Sequence, residues 1–294
     1  MNCWETRQRG IGRAAVIAGL AAACMALGAV AASGQSAPTA EEGPRRDDRD
    51  GGLPLSMLGS YIQPKQLIVY PFFEWYRNND QEYKPSELGF TDERDFRGRY
   101  RASEGLIYAA YGFSENVAAE VEAAMITAWQ ERGTGDPAAF PSRLKQSGVG
   151  DVEGQVRWRW NRETAARPEY FSYAEAVAPI QTKKLLIGTP DWEFKFGVGR
   201  IRSYSFGTIT IRGALGYTAG ATAEIGEYAV EYLRRISKRL RIVTALEGTQ
   251  DEIGVIGEAQ IFLSPRAYLK LNNAFGVSSK APEFAPEIGL MLVF

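Results

Sequence analysis

The stretch DVEGQVRWRWN, Asp151 to Asn161, constrains the fold more than any other. Asp151, Glu153, Gln155, Arg157, Arg159 and Asn161 alternate with Val152, Gly154, Val156, Trp158 and Trp160. Successive side chains of a β-strand point to opposite faces, so one face here is polar and charged and the other apolar, ending in two indoles. A sandwich strand can alternate in the same way, but a tryptophan pair at one end is what a membrane-interface girdle requires. Beyond residue 33 no stretch approaches 18 consecutive apolar residues, so no transmembrane helix is expected there. A chain that spans a membrane without such helices does so as a closed barrel, because lipid offers no partner to an open sheet edge.

Residues 1–33 read as an export signal. Arg7, Arg9 and Arg13 precede an uncharged, alanine-rich run from Ala14 to Ala32 that ends in small-x-small sites. A retained anchor and, through Cys24, a lipoprotein are the competing readings; Ala21 stands where a lipobox would carry leucine. Cys3 and Cys24 both lie in this segment, so a processed chain has no disulfide or thiol chemistry. Removing three arginines and Glu5 takes the formal charge from −1 to −3, which gives no reason to expect nucleic acid as a partner. Residues 34–64 begin with a charged, Gly- and Pro-rich run and are expected to be a disordered extension. Residues 65–294 form the third unit, an all-β domain.

Twelve strands are predicted there: 66–77, 95–111, 117–130, 151–161, 169–179, 191–202, 206–218, 224–236, 239–248, 253–263, 266–277 and 285–294. The turn pattern of FSENV, ISKRL and LSPRA recurs at Phe113, Ile236 and Leu263, where Ser, Asn and Pro favour tight reversals. The connections at 78–94, 131–150 and 180–190 are long. An even strand number, short turns on one rim and longer loops on the other describe a transmembrane antiparallel up-and-down barrel with a periplasmic and an outer rim.

Two stretches carry a family resemblance. EIGLMLVF, Glu287 to Phe294, resembles the C-terminal signal of bacterial outer-membrane barrels, which implies recognition by the barrel-assembly machinery and a place in the Gram-negative outer membrane. GDVEGQVRWRW, with YGFSENVAAEVEA from Tyr111, is similar to barrels identified as outer-membrane transporters or phenol-degradation MetA-pathway proteins. That resemblance implies passage of small, hydrophobic or aromatic molecules and transfers no functional residue. A folded N-terminal plug, as in the long-chain fatty-acid channel, is not expected, since 34–64 is short and polar.

The chain has no histidine, so no Ser-His or His-Asp catalytic group can form within it, and no enzyme activity, cofactor or transition-metal site is expected. Asp80, Glu82, Glu87, Asp92, Glu93 and Asp95 crowd one long loop, but their spacing fits no calcium loop; a solvated loop is the simpler reading. If charged faces line the lumen, the wall carries Arg97, Arg99, Arg101, Glu120, Glu122, Asp151, Glu153, Arg157, Arg159, Glu227, Glu231, Arg241, Glu258 and Lys270, with Glu193, Lys195, Arg212 and Glu247. Measured from the turn near Ser114, Glu120 and Glu122 should form a lateral ladder with Arg157 and Arg159 in the lower lumen. Arg97, Arg99 and Arg101 should sit high, near Asp151 and Glu153. Trp158, Trp160, Trp192 and Phe294 are assigned to the membrane girdle; if Phe294, Leu292 and Leu290 face lipid, the alternation of the closing strand turns Glu287 inward. The functional expectation is a channel or passive transporter for a small-molecule solute, in contact with outer-membrane lipid and lipopolysaccharide. The alternatives are a structural or adhesion barrel with a blocked lumen and a soluble periplasmic β-protein.

Overall fold

The computed structural model describes residues 48–136, 141–219 and 223–294. The predicted signal segment and residues 34–47 lie outside them. Two short strands, β1 (Leu53–Pro54) and β2 (Tyr61–Ile62), pair as a small hairpin. Twelve further strands close into one antiparallel barrel. They are β3 (Leu67–Tyr83), β4 (Phe96–Gly112), β5 (Val117–Glu131), β6 (Arg143–Asn161), β7 (Glu169–Ala178) and β8 (Glu193–Tyr204), followed by β9 (Gly207–Thr218), β10 (Glu224–Arg235), β11 (Leu240–Gly248), β12 (Ile253–Ser264), β13 (Ala267–Gly276) and β14 (Ala285–Val293). Each strand pairs with its sequence neighbour, and β14 closes on β3.

The closing strand follows its alternation. Ile288, Leu290 and Phe294 are exposed on the outer face, whereas Glu287 and Met291 are buried inside. Phe294 exchanges both backbone hydrogen bonds with Leu67, at 2.8 and 3.1 Å. Pairing of β14 with β3 skips Leu290 and Met291, opposite Pro71 and Tyr70. Proline has no N–H to give a ladder, which accounts for a gap at this seam.

The strands differ in length, with 15 to 19 residues in β3 to β6 against 9 to 12 in β7 to β14. About ten residues cross the hydrocarbon core, so β3 to β6 rise above the outer rim as a wall, by roughly 20 Å along the strand. This explains where the predicted strand limits fall short: β3 runs on to Tyr83 and β6 starts at Arg143, both through polar sequence that needs no lipid. A bulge between Ala123 and Met125 on the β5–β6 ladder shifts the parity of β6 near Gly150. Below it Gln155, Arg157 and Arg159 point inward; above it Gly150 does.

Residues 48–64 correct the expectation of a disordered extension. They fold into the lower lumen as a plug that buries Leu53, Leu55, Met57, Leu58 and Ile62. Each such side chain contributes roughly 1.5–3 kcal/mol when withdrawn from water, before the entropy of ordering the segment is subtracted. Gly59, with φ +63°, makes the reversal between β1 and β2. The composition of 34–64 is dominated by its first half, which masked the apolar spacing LPLSML between Leu53 and Leu58.

Candidate functional site

The lumen has two levels of different character. In the lower one, charges on the wall are matched to the plug and to each other. Arg49 of the plug reaches Glu163 at 2.7 Å and Glu169 at 3.2 Å, all buried. Arg241 donates to the Asp48 carbonyl at 2.9 Å, and the Arg235 N–H donates to the Asp48 carboxylate at 2.7 Å. Lys270 donates to the Leu58 carbonyl at 3.0 Å and pairs with Glu258 at 3.1 Å. Arg159 donates to the Gly52 carbonyl, and Gln260 to the Gly59 carbonyl at 3.2 Å. Glu120 accepts from the Ser56 N–H at 2.8 Å, from the Ser56 hydroxyl and from the Tyr108 hydroxyl at 2.6 Å. The main-chain polar groups of the plug thus find side-chain partners on the wall, as a buried backbone requires.

The predicted ladder forms in part. Arg157 pairs with Glu120 at 2.9 Å and lies over the rings of Phe171 and Tyr173, at 5.5 and 4.8 Å. These rings face inward because Gly197 and Gly199 stand opposite them on β8. A Cβ on Gly197 would lie 2.1 Å from the Tyr173 ring. Arg159, however, pairs with Glu169 at 3.1 Å. Glu122 stands opposite Glu153, a carboxylate, with no arginine across from it.

Three predicted lumen residues are not in the lumen. Arg97, Arg99 and Arg101 share the outer face of β4 with Ile107 and Tyr111, while Tyr100, Ala102 and Glu104 face inward. Arg97 pairs with Asp80 and Glu82, and Arg99 with Glu131 at 2.7 Å. They occupy the part of the wall beyond the hydrocarbon core, where the outer face is wet and charge no longer marks the lumen. Asp151 also differs from expectation. Its carboxylate accepts the N–H groups of Ile180, Gln181 and Thr189, at 2.8, 3.3 and 2.5 Å. It therefore clamps the β7–β8 loop, whose Leu186 and Ile187 are buried in one cluster with Ile126, Tyr100 and Ala102.

On the remaining wall, Glu227 and Glu231 share Arg212, which lies 3.5 Å from Glu247, and Lys195 pairs with Glu175 at 2.9 Å. Glu193 and Lys195 line a depression at the outer mouth with Glu224, Asp251 and Glu252. Trp158, Trp160, Trp192 and Phe294 are all exposed, with Trp160 at 61% and Phe294 at 65%. The acidic loop is largely neutralised by its own cations: Asp92 pairs with Arg94 at 2.6 Å, and Lys84 lies within 4.0 Å of Glu87 and Asp95. Among the described residues no three acidic side chains converge as metal ligands do.

The upper level holds two lumen residues that sequence reasoning missed, Glu74 and Glu104. Glu287, Glu74 and Glu104 are successive cross-strand partners on β14, β3 and β4, all buried on the inner face. Glu122 and Glu153 form a second like-charged cross-strand pair. None of Glu74, Glu122, Glu153 and Glu287 makes an ion pair with a described lysine or arginine. Glu287 accepts from the Tyr70 hydroxyl. Like charges directly opposite one another destabilise a sheet, so this arrangement costs stability. Where the two levels meet, Ser56, Tyr108, Glu120, Glu122, Glu153, Gln155 and Glu175 line a narrow crevice between the plug and the wall. The sequence signal for Glu74 and Glu104 was depth: a carboxylate in the middle of a strand cannot face hydrocarbon.

No family model matches the sequence, and a search of curated proteins returns no match. Among solved structures, the fold is similar to that of an outer membrane channel from Pseudomonas putida F1, with a TM-score of 0.61 at 12% identity, over 82% of this chain and 99% of that one. It is also similar to the translocator domain of the autotransporter NalP from Neisseria meningitidis, with a TM-score of 0.51 at 11% identity, over 79% of this chain and 90% of that one. The shared fold is the outer-membrane β-barrel, in agreement with the resemblance read from the closing strand.

Proposed function

We propose that this barrel is an outer-membrane channel or passive transporter that moves small molecules through its lumen and favours cations over anions. The observation that carries the reading is the upper lumen, where Glu74, Glu122, Glu153 and Glu287 line the inner face without a described cationic partner. Carboxylates in a narrow, low-dielectric passage raise the local concentration of cations and repel anions. In the same reading residues 1–33 are removed on export, Glu287 to Phe294 are the signal for barrel assembly, and the protein performs no catalysis. Passage requires the plug to shift, because residues 48–64 cross the lower lumen.

Planar-bilayer recording tests this. The full chain in a KCl gradient should give discrete openings with a reversal potential on the cation side. Glu74→Gln with Glu122→Gln should move that potential towards zero without abolishing the openings. The plug also favours a second reading, a structural or adhesion barrel with a permanently closed lumen. Absence of openings both in the full chain and in a chain lacking 48–60 would select it.

A further inference from the structure

The outer face of the tall wall changes character abruptly. At one register, Phe73, Gly105, Met125 and Val149 are cross-strand neighbours on β3 to β6, and the three large side chains are exposed. One step outward stand Trp75, Ser103, Thr127 and Ser147. The next step is Arg77, Arg101, Trp129 and Lys145, and the one beyond it carries Arg99, Glu131 and Arg143. The sequence apolar, amphipathic, cationic is what a protein surface shows where it leaves hydrocarbon and enters a layer of anionic headgroups.

The cations are not used up within the protein. Arg99 and Arg143 share Glu131, at 2.7 and 3.9 Å. Among the described residues Arg101 and Lys145 have no carboxylate partner, and the Arg77 guanidinium reaches only the Asn79 side chain, at 3.4 Å. Arg143 lies over the Trp129 ring at 5.4 Å, which holds its guanidinium flat against the wall. Five cations thus face outward, and among the described residues Glu131 is the one carboxylate paired with any of them. On the opposite side of the barrel, where the strands are shorter, the described outer-face ends carry Phe196, Leu215, Tyr217, Val255, Phe275 and Val277.

We propose that this patch is a binding site for a bisphosphorylated glycolipid headgroup, the chemistry of lipid A, with the acyl chains lying on Phe73, Met125 and Val149. The breadth of the patch selects this ligand over a single-phosphate lipid. Arg77 and Lys145 are three strand spacings apart, roughly 14 Å, which suits two separated phosphates on one rigid headgroup. Arginine forks match phosphate oxygens in pairs, and each cation held at an anionic surface adds to affinity. The site lies on the outside of the wall and does not depend on whether the lumen conducts.

The test uses the full chain, purified in zwitterionic detergent and titrated with bisphosphoryl lipid A, monophosphoryl lipid A and phosphatidylglycerol, with bound lipid counted by native mass spectrometry. Binding should follow that order. The triple variant Arg77→Gln, Arg101→Gln, Lys145→Gln should lose affinity for bisphosphoryl lipid A by at least about tenfold while keeping heat-modifiable migration, the sign of an intact barrel. Should the triple variant fail to fold, Glu131→Gln reads the same site in the other direction and should tighten binding. Unchanged affinity in the triple variant, weaker binding by Glu131→Gln, or phosphatidylglycerol bound as tightly as bisphosphoryl lipid A would each overturn the proposal.

Discussion

The two levels of the lumen use similar residues to opposite ends. In the lower level each buried carboxylate meets a cation or a main-chain donor: Glu120 with Arg157 and Ser56, Glu169 with Arg49 and Arg159, Glu258 with Lys270. In the upper level Glu287 faces Glu74, and Glu122 faces Glu153. Matched charges fill space and hold a segment in place; unmatched ones leave a field for something that arrives later. The comparison teaches that charge count on a barrel's inner face says little until the partners are known.

The largest expected effect comes from removing the plug. Deleting residues 48–60 should raise single-channel conductance severalfold, because the lower lumen then loses its only described main-chain filling; equal conductance in both chains would mean the two levels do not differ in passage. Next, Arg157→Ala leaves Glu120 buried without its counter-charge. Loss of one partner from such a pair costs about 3–5 kcal/mol, to be seen as a lower unfolding midpoint in urea with the barrel reconstituted in lipid vesicles. The upper level should respond in the opposite sense. Glu74→Gln relieves repulsion from Glu287, so it should leave stability unchanged or raise it by up to about 1 kcal/mol while reducing cation preference. A large loss of stability there would show that the upper carboxylates are structural after all.

Much of the fold was legible because one period governs it. Alternation located all twelve strands, and the parity of the closing strand put Phe294 outside and Glu287 inside. The errors share a cause. Parity tells which residues share a face but not which face is the lumen once a strand outgrows the bilayer; Arg97, Arg99 and Arg101 were placed inside because charge was taken as the lumen's mark over the whole of β4. The bulge near Gly150 reverses parity within β6, so Asp151 could not be assigned from the frame that served Arg157. The plug was hidden because its partners lie 64 to 231 residues away in sequence, from Ser56–Glu120 to Ser60–Met291, and no local pattern carries that information.

The smallest effect concerns the outer loops, which stand beyond both levels. Burial pushes the Glu87 carboxyl up from 4.5 to about 7, against the pull of Lys280 and Lys84. The folded loop therefore binds a proton between those values that the unfolded loop does not. This contribution to order is complete below pH 4.5 and lost as the pH rises through 7. Amide exchange around the 3-10 turn Pro85–Leu88, corrected for intrinsic rates, should show more protection at pH 5 than at pH 8, and Glu87→Gln should remove the difference.

The place of the plug in the chain has a consequence for the order of events in folding. It lies immediately before β3, and β3 is one lip of the seam that Phe294 closes against Leu67. Its anchors are spread over Glu120, Glu163, Arg241, Gln260 and Lys270, on strands and turns all around the barrel. That set of contacts cannot be completed while the sheet is still open, since its two ends have yet to meet. Docking of 48–64 is therefore a late step, coupled to closure. A chain stalled before the seam forms would expose Leu53, Leu55, Met57 and Leu58 at its amino-terminal side, and protease sensitivity of that short segment would act as a clock for the last stage of assembly.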